Sequence, residues 1–148
     1  MSIVFFTVIS GVLTFVAGQL VLKLIIDPVY EFKKTVADIA IALIENANIY
    51  ANPGVAGNEI ERKASESLRK LSSYLNAHIY LIPSYPLVSK MFRLPSRDKV
   101  VDAASNLIGL SNGMFNSSLV LVNVERADKI RDALGIFVPE NERVKLKK

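Results

Sequence analysis

Eight basic side chains fall between residues 62 and 99 against two acids, Glu66 and Asp98, a net of +6 in a chain whose total charge is +4. Arg62 and Arg69 stand seven positions apart, hence on one face of a helix, with Lys70 adjacent. Arg93, Arg97 and Lys99 gather around Ser96, a good residue to open a helix. A guanidinium offers phosphate a planar fork, and a helix start adds unpaired backbone N–H groups and a favourable dipole. These six residues form the candidate anion-binding set, suited to a nucleotide, a lipid headgroup or an RNA backbone. The competing reading is a solvated helix face laced by ion pairs, such as Arg62 or Lys70 with Glu66.

Other chemistry is thinly supplied. With no cysteine there is no disulfide framework, thiolate nucleophile, zinc ribbon or iron–sulfur site. The single histidine, His78, reads as a structural hydrogen-bonder rather than a base or a ligand. Tyr74, Tyr80 and Tyr85 either pack into a core or reach a pocket or a lipid headgroup zone. Ser111-Asn112 and Asn116-Ser117-Ser118 lack the flanking glycines of a nucleophile elbow and read as caps. No phosphate-binding loop, dinucleotide glycine fingerprint or zinc-type spacing of acids occurs. The expectation is a protein without catalytic residues, metal or cofactor. Sequence-specific reading of nucleic acid is disfavoured too, because no recognition motif is present and the tyrosines do not interleave with the basic residues.

The elements that must hold these residues begin with a stretch free of charge from Met1 to Leu22. Ile3 to Leu22 is twenty residues whose only polar members are Thr, Ser, Gly and Gln. At about 1.5 Å of rise each they match the roughly 30 Å hydrocarbon core of a bilayer. A cleaved signal peptide would need a basic leader that Met1-Ser2 lacks, so a retained transmembrane anchor over residues 1–26 is the expectation. Lys23, Lys33 and Lys34 follow the span and none precedes it, which places the N-terminus outside and the rest in the cytoplasm. Thr7, Gly11, Thr14 and Gly18 form a strip of small residues on one helix face, with Gln19 beside it. Small residues let helix backbones approach in lipid, so these five residues are the candidate self-association face.

Asp27-Pro28 then requires either a kink or a new helix capped by Asp27. Val29, Phe32, Val36, Ile39 and Leu43 repeat at spacings of three and four, continued by Asn46 and Tyr50. A second set, Ala37, Ala40, Ile41, Ile44 and Ala47, widens this stripe beyond the need of a two-stranded coil, toward a bundle or a contact between subunits. Asn52-Pro53-Gly54 stops the helix. The next begins at Asn58 or Glu59, with Ile60, Ala64, Leu68, Leu71, Leu75 and Ile79 on one face. A short element follows over residues 87–92, then a helix from Ser96 to Gly113. The run Leu119–Val124 is rich in β-formers, yet Val120, Val124, Ala127, Ile130 and Leu134 keep helical spacing, ending near Gly135. The expected fold is all-α: the anchor, a cytoplasmic body over 27–138 of about four main helices plus short pieces, and a polar tail over 139–148.

Several short motifs resemble a family of small bacterial single-pass inner-membrane proteins. They are Gly18-Gln19, Lys23…Ile26-x-Pro28, Ala42-Leu43-Ile44…Ala47-Asn48, Leu68-Arg69-x-Leu71, Ile82-Pro83, and the run from Leu107 to Asn112. Together they span most of the chain from Gln19 to Ile136. The resemblance implies a bacterial inner-membrane location with a helical cytoplasmic domain, and it brings no activity with it.

Two functions follow as expectations. The first is a membrane-anchored, non-enzymatic module that self-associates and presents a helical surface to a cytoplasmic protein partner. The alternative is a ligand-responsive membrane effector whose basic block over residues 62–99 binds a nucleotide-like anion.

Overall fold

A computed structural model describes residues 2–137, and all their regular structure is helical. The first element is a continuous long helix made of α1 (Ser2–Val21), a π-helical turn (Leu22–Ile26) and α2 (Asp27–Glu45). By length and composition its apolar part can cross a membrane, and none of that part is buried against the body.

The π turn is how the chain accommodates Pro28. In an α-helix, the proline ring would clash with the carbonyl four residues back, that of Leu24. Here the Asp27 N–H bonds instead to Leu22 O, five residues back, and the wider turn gives the ring room. The helix therefore neither breaks nor restarts at Asp27. Asp27 makes no cap with its side chain. Its carboxylate takes the Lys23 ammonium at 2.9 Å, one turn earlier.

The body is a bundle of four main helices, α2, α4 (Asn58–Leu81), α6 (Arg97–Gly113) and α7 (Val120–Leu134). Two short helices, α3 (Ala47–Ala51) and α5 (Tyr85–Phe92), lie in the connections. α4 packs between α2 and α6, and α6 packs against α7. The centre holds Phe32, Ile39, Leu43, Leu68, Leu75, Leu107, Leu110, Met114 and Ile130, each almost fully buried. The β-rich run becomes the start of α7, after one 3₁₀ turn (Ser117–Leu119) that Asn116 caps by accepting the Ser118 N–H at 3.0 Å. Gly135, at φ 69°, closes α7, with Ile136 N–H bonding back to Arg131 O. Ser96 takes the N-cap position of α6, its carbonyl accepting the Val100 N–H, though its hydroxyl makes no cap bond. The expected tail over residues 139–148 lies outside the described residues.

Two faces differ from the hydrophobic spacing. On α2, Val29, Phe32, Ile39 and Leu43 are buried as the repeat requires, and Val36 partly so. The second set widens that face only through Ala40 and Ala47, both half-buried, whereas Ala37, Ile41 and Ile44 are exposed. On α4 the expected face is buried from Ala64 to Ile79, with Leu71 half-buried, and it widens by one residue to the side. Ile60 is exposed, while Glu61, Ser65 and Ser72 are buried beside Ala64, Leu68 and Leu75. The cause lies on α6, which offers Ala103 and Ala104. Small residues facing each other let the two helices approach closely, and the Ser72 hydroxyl donates to Ala104 O at 2.8 Å. Glu61 lies in the first turn of α4, where the helix dipole favours a carboxylate.

Candidate functional site

The six basic candidates do not converge on one pocket. Arg62 pairs with Glu66 one turn ahead at 2.9 Å, both side chains well exposed, as the solvated-face reading expects. Arg69 turns across to α6 and donates to Asn112 Oδ1. Lys70 lies over the Tyr74 ring at 5.7 Å and borders a cleft of about 320 Å³ between α2 and α4. Asp38 and Glu45 line the same cleft and offset its charge. Arg97 sits over Tyr80 at 5.5 Å, at the far end of α4 from Arg62. Arg93 and Lys99 share a cavity, about 370 Å³ in volume, between the start of α6 and the end of α7. Asp132 lines it as well, so this concave site with two cations also presents a carboxylate.

The tyrosines also separate. Tyr74 and Tyr80 are exposed, each beneath a cation. Tyr85 is buried edge-on to Phe32, with ring centroids 6.3 Å apart, and its hydroxyl donates to Pro95 O at 2.8 Å. Burial pushes its phenol up to about 12. That hydrogen bond ties the start of α5 to the loop before α6.

His78 projects from α4 toward α2, where its Nε2 lies 3.0 Å from the hydroxyl of buried Thr35. Its ring meets Phe32 edge-on at 6.3 Å. Burial holds the imidazole below its ordinary value of 6.5, and the Glu31 carboxylate pulls the other way. The buried Nδ1 has no hydrogen-bond partner. A neutral ring wedged between Phe32 and Thr35 positions α4 on α2. Among the described residues, no group of three or more His, Asp or Glu side chains is placed to hold a metal ion.

Sequence spacing gave no warning of the polar junction at the opposite end of the bundle. Asn123, fully buried on α7, donates through Nδ2 to Gly113 O at 2.9 Å and to Tyr50 O at 3.3 Å. One amide therefore joins α7 to the end of α6 and to α3. Arg131, two turns on, donates to the Tyr50 hydroxyl at 3.1 Å and to Asp128 at 2.9 Å. Arg126 donates to Gly109 O at 2.8 Å. Asn123 and Arg131, eight apart, stand on one side of α7, a spacing that carries no information about their partners on α3 and α6.

The candidate association face shares the long helix with α2. Gly11 and Gly18 have open space where a side chain would stand, and Thr7 turns its hydroxyl back to Ile3 O at 2.9 Å. Thr14 and Gln19 are exposed along the same helix. On α2, Tyr30, Ile41 and Ile44 are uncovered apolar side chains. Compared with known proteins, the chain matches no family model, no curated protein and no solved structure.

Proposed function

We propose that the chain is a single-pass, non-enzymatic membrane protein that self-associates along its first helix and presents its body to a protein partner. The bilayer is a bacterial inner membrane, with the body on the cytoplasmic side. Supporting the anchor is the apolar part of the long helix, of which nothing is buried by the rest of the chain. The orientation follows from Lys23, Lys33 and Lys34 close behind the span.

The observation that carries self-association is the phase of the π turn. In an uninterrupted helix, the face of Thr7, Gly11, Thr14 and Gly18 would continue through positions 25, 29, 32, 36 and 43. Those are core positions of the body, with Phe32 and Leu43 buried. The π turn holds one extra residue and sets everything after it back by about 100°. The small-residue face then continues through Ile26, Tyr30, Lys33, Ala37 and Ile44, all exposed, with half-buried Ala40 and exposed Ile41 at its borders. Lys33 is the charged residue on this line. A second copy can thus pack along the helix from Thr7 to Ile44 without disturbing the bundle core. Small residues suit contact within lipid, and larger apolar ones suit contact in water.

Light scattering of the full chain in detergent tests this reading. The expected result is a discrete oligomer, converted to monomer by Gly11→Ile with Gly18→Ile and weakened by Ile44→Asp. Removing Leu24 together with Pro28→Ala restores α-helical register and is expected to split the two halves of the face, reducing association while the body stays folded. A wild-type monomer, or an oligomer indifferent to all of these changes, refutes it.

A further inference from the structure

We infer that the corner formed by the end of α4 and by α5 rests on the headgroup layer of the bilayer that holds α1, with anionic headgroups as its ligand. The inference depends on α1 spanning that bilayer.

α5 has two apolar sides. Tyr85 and Val88 are buried in the bundle, yet Leu87 and Met91 face outward, 68% and 61% exposed. The end of α4 adds Tyr80 and Leu81, 80% and 61% exposed. A helix facing only water would carry polar residues on that side. Non-glycine residues in left-handed conformation, Ser84 at φ 46° and Arg93 at φ 55°, bound α5 at both ends and fix its direction. The cations of the corner stand among these apolar groups. Lys90 shares an open hollow with Pro86, Leu87 and Met91, and Arg97 stacks on Tyr80. The acids of this end of the body are Asp27, paired with Lys23, Glu31, near His78, Asp98, in the first turn of α6, and Asp132, in the cavity with Arg93 and Lys99. Apolar side chains ringed by Tyr, Lys and Arg make the composition of a membrane-interface surface.

The corner also stands at the right height. α4 runs antiparallel to α2, since His78 meets Thr35 and Tyr85 meets Phe32, so its C-terminal end returns toward the start of α2. The core that contains Ile82, Tyr85 and Val88 reaches down to Ile25, which packs against it. Ile25 lies three residues past Leu22, about 4.5 Å at helical rise. A headgroup layer is roughly 5–7 Å deep on each side of the hydrocarbon. The lower edge of the body therefore stands within that layer, and the exposed groups of α5 border it. Phosphate groups at this level match Lys90 and Arg97.

The chain has no cysteine, so single-cysteine variants carry one label each. Full-length Leu13→Cys, Leu87→Cys, Met91→Cys and Val55→Cys, labelled with an environment-sensitive fluorophore, are placed in vesicles of phosphatidylcholine with a minority of phosphatidylglycerol. Val55 is exposed in the α3–α4 connection at the opposite end of the bundle. Lipids spin-labelled at the headgroup should quench the labels at 87 and 91 several-fold more than that at 55. Lipids labelled deep in the chain should quench the label at 13. Lys90→Gln with Arg97→Gln should remove any increase in quenching that phosphatidylglycerol gives at 87. Labels at 87 and 91 that behave like that at 55, while the label at 13 is quenched, overturn this inference and leave the span standing. An unquenched label at 13 overturns both. Labels at 87 and 91 shielded from both lipid quencher and aqueous iodide indicate coverage by a second copy, which also overturns it. Quenching at 87 that ignores phosphatidylglycerol overturns the anionic preference.

Discussion

Gly113→Ala is the sharpest single perturbation of the body. A Cβ built on Gly113 would stand 1.9 Å from Asn123 Oδ1 and 2.8 Å from its Cγ, inside any attainable contact. Asn123 is fully buried and must swing away, so its bonds to Gly113 O and Tyr50 O are lost together. A hydrogen bond contributes about 0.5–1.5 kcal/mol net, and a buried group left without a partner costs about 1–3 kcal/mol. Against this, alanine is a better helix former than glycine by up to about 1 kcal/mol. The expected net loss is about 2–4 kcal/mol. For a body of this size that lowers the melting midpoint by roughly 10 °C. All five tyrosines lie between residues 30 and 85, so their near-ultraviolet dichroism reports the body and not α1. Thermal unfolding of the full chain in detergent micelles, followed by that signal, measures the effect. The decisive comparison is with Asn123→Ala, which removes the obstructing amide. In that background, Gly113→Ala should cost less than about 0.5 kcal/mol, a coupling of at least about 1.5 kcal/mol between the sites. Additive costs would refute the assigned contact.

Acid should loosen the α2–α4 contact through His78. Burial depresses its native value below 6.5, so the unfolded chain binds the proton more readily than the folded one. This contribution is complete above about pH 6.5 and is lost as the pH falls toward the depressed native value. The melting midpoint of the wild type should therefore fall more steeply between neutral and mildly acid pH than that of His78→Gln, and parallel curves would reject the assignment. Arg62→Ala should change stability by less than about 0.5 kcal/mol, because its pair with Glu66 is exposed and screened. A larger loss in the same melting assay would mean that Arg62 has work beyond this pair.

Much of the fold was legible along the chain because it depends on local periodicity and punctuation. The charge-free run and its length define the long apolar helix. The starts at Asn58 and Ser96 fall where the sequence places them although no side chain caps either helix, Gly135 ends α7 by its left-handed turn, and the spacing from Val120 to Leu134 prevails over the β-rich composition of its first residues. The basic block was equally visible, yet its members separate once folded. Arg69 reaches Asn112 43 positions away, Arg97 meets Tyr80, and Arg93 and Lys99 share a cleft with Asp132. Charge counted along a sequence cannot assign directions in space.

The burial of Glu61, Ser65 and Ser72 in place of Ile60 was hidden for a related reason. Hydrophobic spacing ranks residues by affinity for water, whereas the approach of α4 to α6 is governed by side-chain size and by a carbonyl on α6 that a serine can reach. The sequence by itself determined the helices, the long apolar segment and the composition of each face, because these follow from residues three or four positions apart. Only the tertiary structure decided which face of α2 the body consumes and which it leaves uncovered. That outcome turns on a single extra residue in the turn around Pro28, a rotation of about 100° that local spacing does not encode.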